Sequence, residues 1–178
     1  TPDGHILQRY PLTIEQRLDP GPLFLLTKML QAVVLEGTAK SLGEWLPREV
    51  GIAGKTGTTN DLKDSWFAGF SGNRLAVVWV GRDDNQPSGL TGSSGALQVF
   101  GHLMGAIPNQ ALNPIPPENV EWAVIDPDSG LLTGETCSGA MAVPFIKGSA
   151  PEESAPCRGK RPGSSDPGPK FEKPNLLD

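Results

Sequence analysis

Cationic side chains are in short supply: 15 Lys and Arg stand against 20 Asp and Glu, giving a formal charge of −5 and a pI near 5.0. No basic stripe runs along the chain, which excludes the electrostatic footprint of a nucleic-acid binder. Long apolar runs are absent too, and none approaches the roughly 20 residues that cross a bilayer. The start has neither the charged-then-apolar order of a signal peptide nor a methionine. The chain therefore reads as a cut-out. Histidine occurs only at His5 and His102, and neither has an assignable partner. Cysteine also occurs twice, at Cys137 and Cys157, with no His/Cys cluster that would make a zinc site. The pair reads either as a disulfide, which implies an oxidising compartment, or as two buried thiols. No repeat of 20–50 residues and no heptad pattern appears.

Glycine and proline are abundant instead, 22 and 18 respectively, 40 of 178 residues against a usual share of about one in eight. Much of the chain must be turns and loops, although 37% apolar residues suffice for the core of one domain. From Gly148 to Asp178 only Phe171, Leu176 and Leu177 are sizeable apolar residues. That stretch is expected to be mostly disordered, apart from what Cys157 ties back. Pro20 and Pro22 suit a helix entrance. Leu23, Leu26, Leu30, Val33 and Val34 follow at helical spacing, with Gly37 placed as a C-cap. Val50–Thr59, Asp64–Phe70 and Leu75–Gly81 read as three strands, the last two joined by the turn Ser71-Gly72-Asn73. The run Val77-Val78-Trp79-Val80 lacks alternation, as in a strand covered on both faces. Ser93 or Ser94 then caps a helix that carries Ala96, Phe100, Leu103, Met104 and Ile107 on one side. After the proline-rich link, Val120–Ile125 reads as the last strand. The order predicts an α+β fold, an antiparallel sheet packed with helices. Its parts are a main unit over 1–113, a small β appendix over 114–147 and a tail over 148–178.

One segment carries chemistry: Gly51-Ile52-Ala53-Gly54-Lys55-Thr56-Gly57-Thr58-Thr59-Asn60. Its centre copies the end of a phosphate loop, G-x-x-x-x-G-K-S/T. That motif needs glycine at position 49, where Glu49 stands, and a helix opening at the lysine. Gly57, two threonines and Asn60 are poor residues for such a helix. A carboxylate-binding strand fits better. Lys55 supplies a fixed charge and three donors, Thr56 and Thr58 repeat at strand period, and Gly57 opens the backbone to close approach. The plain alternative is a surface lysine beside structural glycines. Trp66, Trp79 and Trp122 read as packing residues, and Asp83-Asp84 as a solvated strand exit, since no ligand spacing accompanies the pair. No metal site and no cofactor are expected.

The run Lys55-Thr56-Gly57-Thr58-Thr59-Asn60, then Asp64-Ser65-Trp66-Phe67-Ala68-Gly69-Phe70, then Val78-Trp79-Val80-Gly81-Arg82-Asp83-Asp84-Asn85-Gln86-Pro87 resembles the class A penicillin-binding proteins, most of all the 1b-type bifunctional peptidoglycan synthases. The helix ending Leu35-Glu36-Gly37-Thr38-Ala39 and the Cys137 to Cys157 extension fit the same family over about residues 15 to 160. The resemblance implies the C-terminal part of a transpeptidase domain that cross-links stem peptides through an active-site serine and is acylated by β-lactams. It implies a periplasmic protein that also carries a glycosyltransferase domain working on lipid-linked precursor. An N-terminal anchor outside this chain would hold it to the inner membrane. It casts Lys55 and Thr58 as catalytic, and Thr56, Gly57, Thr58 and Thr59 as the substrate strand.

The family's motifs run S-x-x-K, S-x-N, K-T-G in chain order. No serine here has lysine three positions later, and Ser71-Gly72-Asn73 follows the K-T-G rather than preceding it, so it reads as a turn. The nucleophile is therefore expected on the N-terminal half of the same domain, as a separate chain or a missing segment. A serine β-lactamase or D,D-carboxypeptidase shares K-T-G, but the long stretch after Lys55 speaks against a lactamase. A non-catalytic module binding peptidoglycan or a partner protein is the remaining alternative.

Overall fold

The computed structural model describes residues 6, 8, 15–157 and 159. His5 and residues 160–178, with most of the expected disordered tail, lie outside them. Helix α1 (Pro20–Leu35) opens with proline in its first turn, where a missing N–H leaves no bond unmade, and Leu23 N–H donates to Asp19 O at 3.1 Å. The helix ends one turn before Thr38, with Gly37 N–H donating to Ala32 O. A Cβ at Gly37 would come within 2.9 Å of the Val33 backbone, so close approach is what requires glycine there. The buried stripe is Gly21, Phe24, Thr27 and Gln31, whereas Leu23 and Leu26, expected to face inward, are 45% and 49% exposed. An almost uniformly apolar helix gives its period little power to choose a face. Here Gln31 decides, because it reaches inward to two backbone carbonyls.

Strands β1 (Ala53–Thr58), β2 (Ser65–Phe70) and β3 (Leu75–Val80) form an antiparallel meander in the order β1-β2-β3. β1 starts later than the expected Val50, because residues 48–50 form a 3-10 turn closed by Gly51 at φ 63°. Helix α2 (Ala96–Gly105) covers one face of the sheet, burying Leu97, Phe100 and Met104 against Phe67, Leu42 and Leu46. Phe67 and Phe100 meet edge to face with centroids 4.6 Å apart. Gly54 and Gly69 stand opposite each other across β1 and β2, where a Cβ would lie 2.6–2.7 Å from the Phe67 ring.

The start of α2 corrects the expected cap. Neither Ser93 nor Ser94 caps the helix, whose N-cap is Gly95. Ser65, buried in β2, does the work from another element: its Oγ accepts the Ala96 N–H and donates to Thr91 O, both at 2.7 Å. Ser94 instead closes the preceding turn, its Oγ accepting the Thr91 N–H. Leu103, expected on the buried side, is 48% exposed.

β3 differs from its reading as a strand covered on both faces: Leu75, Val77 and Trp79 are 74%, 58% and 47% exposed. Trp66 and Trp79, read as packing residues, sit together on that open face with centroids 6.2 Å apart. The link after α2 returns across the hairpin, Gly72 N–H donating to Gln110 O and Leu112 N–H to Val50 O. It leads to a two-stranded sheet, β4 (Val120–Ile125) and β5 (Met141–Ile146). β4 is thus not the last strand. β5 contains Pro144, which lacks a ladder donor but is tolerated in a sheet where every strand is an edge. Cys137 and Cys157 form a disulfide with Cα atoms 5.3 Å apart. Residues 153–155 run beside Leu132, whose N–H donates to Glu153 O and whose O accepts from Ala155 N–H. Trp122 packs edge to face on Phe24, joining the appendix to α1.

Candidate functional site

Among the described residues β1 is an edge strand, paired on one side only. Thr59 N–H donates to Asp64 O at 3.1 Å, so antiparallel alternation gives Lys55 and Gly57 the groups bonded to β2. The backbone N–H and C=O of Thr56 and Thr58 therefore turn outward, to the open edge. Side chains alternate on the same period. Lys55 and Gly57 share a face with Trp66, Ala68, Val77 and Trp79, while Thr56 and Thr58 lie on the α2 side.

Lys55 is exposed, and its Nζ donates to Thr56 O at 2.9 Å. No carboxylate among the described residues pairs with it. Thr56 Oγ1 lies 2.7 Å from Thr38 Oγ1. Thr58 Oγ1 accepts the Gly92 N–H at 2.9 Å, which leaves its own hydrogen able to donate. Thr59 is engaged on both sides, donating to Asp64 Oδ2 at 2.9 Å and accepting the Asp64 N–H at 2.8 Å. Lys55, Thr56, Gly57 and Thr58 thus form one continuous edge, and the Thr59 hydroxyl belongs to the turn beyond it.

Sequence reasoning passed over the groups that hold this edge. Asp64 also accepts the Trp79 Nε1–H at 2.9 Å, tying the end of β1 through β2 to β3. Asp61 and Leu62 carry φ of 59° and 54°, conformations that cost non-glycine residues energy and persist only where surroundings enforce them. Leu62 O accepts the Ser88 N–H, the Ser88 hydroxyl and the Gly89 N–H, which supplies that enforcement. The only sequence signal was an acidic residue opening a strand, which is too common to single out. Ser71 is buried and its Oγ donates to Asn73 Oδ1, so Ser71-Gly72-Asn73 forms the β2–β3 turn. Arg82 holds Asp84 in a two-pronged pair that keeps the Asp84 carboxyl below its ordinary range. His102 is exposed beside the Trp45 ring.

No family profile matches the chain. It is 36% identical over 141 residues to penicillin-binding protein 1B of Escherichia coli (strain K12), which covers 79% of this chain and 16% of that protein. It is 39% identical over 155 residues to penicillin-binding protein 1A of Aquifex aeolicus (strain VF5), 84% of this chain and 20% of that one. The crystal structure of penicillin-binding protein 1A from Haemophilus influenzae superposes with a TM-score of 0.65 at 28% identity, over 76% of this chain and 21% of the other. The chain therefore spans 16–20% of the length of these two curated relatives.

Proposed function

The chain is homologous to the class A penicillin-binding proteins 1A and 1B over most of its length, and on that premise we propose that it supplies the Lys-Thr-Gly strand of a serine D,D-transpeptidase of peptidoglycan synthesis. The observation that carries this is an edge strand whose backbone groups at Thr56 and Thr58 turn outward, the Thr56 carbonyl met by Lys55 Nζ, and a lysine with no acidic partner among the described residues. An extended peptide can add to such an edge. The chemistry is acyl transfer. A serine on the portion of the protein that carries S-x-x-K, activated by a nearby lysine, attacks the stem peptide's D-Ala-D-Ala carbonyl and releases the terminal D-Ala. The amine of a second stem then takes the acyl group and regenerates the serine. A β-lactam enters the same acylation and stops there.

In this scheme Lys55 holds the S-x-N serine and gives positive potential to the incoming carboxylate. The hydroxyls of Thr56 and Thr58 bind that carboxylate, and Gly57 lets the peptide approach. Outward-turned, the Thr58 N–H is one oxyanion donor, worth about 3 kcal/mol in the transition state. Thr59 acts by closing the turn on Asp64. The protein works in the periplasm, held to the inner membrane by a segment other than this chain, with glycosyl transfer from lipid-linked precursor on a further domain. The open face of β2 and β3 is where the serine-bearing half packs. No serine in this chain is followed three residues on by lysine, which also favours a second reading, a non-catalytic peptidoglycan- or partner-binding module.

Fluorescent penicillin separates the two. The full-length protein takes label outside residues 1–178, and Lys55→Ala lowers the labelling rate by about a hundredfold or more while the fold survives. Label on this chain itself, or an unchanged rate in the variant, overturns the assignment. No label on the intact protein leaves the binding-module reading.

A further inference from the structure

A cavity of about 620 Å³ lies between α1, residues 40–52 and the link at 113–115, with Trp122 of β4 in its wall. None of Lys55 to Thr59 lines it, so it is separate from the β1 edge. Its size falls within the range of small-ligand and peptide-segment sites. Three features set its chemistry. Phe24, Leu42 and Trp122 give it apolar walls. Lys28, Lys40 and Arg48 line it against a single carboxylate, Glu49, so its potential is positive. Burial holds the Lys28 ammonium below the ordinary lysine range, and its Nζ lies 5.6 Å from the centroid of the Phe24 ring.

The third feature is Gln31, only 7% exposed and also in the wall. Its Nε2 donates to Gly51 O at 2.8 Å and to Leu112 O at 2.9 Å. Both partners are acceptors, so the amide has one orientation, and its two hydrogens are engaged. Oε1 has no donor among the described residues, so Gln31 offers one acceptor in the cavity wall. A simple anion answers the cations and leaves the apolar walls and Oε1 unmet. A fatty chain with an acidic head brings no N–H to Oε1. An acidic peptide meets all three demands.

We infer that this cavity binds an extended acidic segment of a partner protein. An apolar side chain of the segment rests against Phe24 and Trp122, its carboxylates face Lys40 and Arg48, and a backbone N–H reaches Gln31 Oε1. The inference does not depend on the transpeptidase assignment, because no residue of the β1 edge takes part.

The test is fluorescence anisotropy on the full 178-residue chain, with a fluorescein-labelled hexapeptide alternating leucine and glutamate. Its lysine-for-glutamate counterpart is the comparison. The acidic peptide is expected to saturate below about 1 mM and to bind about tenfold or more tighter than the basic one. The double variant Lys40→Glu, Arg48→Glu changes two exposed side chains, so the fold should survive, as circular dichroism would verify; it is expected to abolish the preference. Equal affinity for both peptides, no saturation, or indifference to the rim variant overturns the inference. Binding seen only after residues 160–178 are removed overturns it in favour of the chain's own tail. Phosphatidylglycerol vesicles displacing the peptide at the same rim overturn it in favour of a membrane contact.

Discussion

The two faces of the β1–β3 sheet are made of similar residues and end differently. Toward α2, Phe67, Phe100 and Leu97 are fully buried, and Ser65 is sealed among them. On the other side Trp66, Leu75, Val77 and Trp79 stand 41–74% exposed around Lys55. A sheet with apolar side chains on both faces has the composition of a central layer, since water-facing sheets alternate apolar with polar. The open face teaches that an apolar run does not by itself say how many faces are covered: among the described residues only the α2 side of the sheet is packed.

The comparison breaks most visibly at Phe100. Phe100→Ala on the closed face is expected to destabilise the chain by about 3–5 kcal/mol, read from the urea midpoint. Ser65→Ala is next. It leaves the Ala96 N–H without its acceptor in a dry setting, for about 1–3 kcal/mol in the same assay. Val77→Ser on the open face is expected to cost no more than about 0.5 kcal/mol in this chain. In the full-length protein, where the proposal covers this face, the same change should cost measurably more. If Val77→Ser is equally mild in both settings, the proposed packing of the serine-bearing half on this face fails. The smallest effect belongs to the exposed Arg82–Asp84 pair, whose guanidinium keeps the carboxyl below its usual value. Its contribution is present above about pH 4 and fades as the pH falls through the lowered folded value. Arg82→Gln should remove that small contribution at neutral pH and leave acid stability unchanged, so the urea midpoint changes less between neutral and acid pH than in the parent chain.

The meander and both long helices were legible because turn residues and periodicity agree with the final pairing. Ser71-Gly72-Asn73 sits between two apolar runs, and the strands pair in the simplest order. Other features depended on partners distant in sequence. Whether α1 buries Leu26 or Gln31 depends on carbonyls at Gly51 and Leu112. The cap of α2 comes from Ser65, 31 residues upstream of the Ala96 N–H. β5 was hidden by Pro144, whose penalty applies in a sheet interior but lapses in a two-stranded edge pair. At the candidate site, period two sufficed to put Thr56 and Thr58 on one side and Lys55 on the other. The Thr59–Asp64–Trp79 chain depends on strand register and could not be read along the sequence.

The Gln31 side chain joins segments separated by 20 and 81 residues. Contacts that far apart carry a loop-closure cost that local contacts do not, so they lag in assembly behind the meander, whose pairings are neighbours in the chain. The return of residues 108–112 across the hairpin should therefore be a late event. On slight destabilisation it should also be among the first parts to reopen. Amide hydrogen exchange would register this as weaker protection at Leu112, whose N–H rests on Val50 O, than at Phe67 in the centre of β2. The cavity beside Gln31 would then form and dissolve with that single strap of backbone, while the β1 edge persists without it.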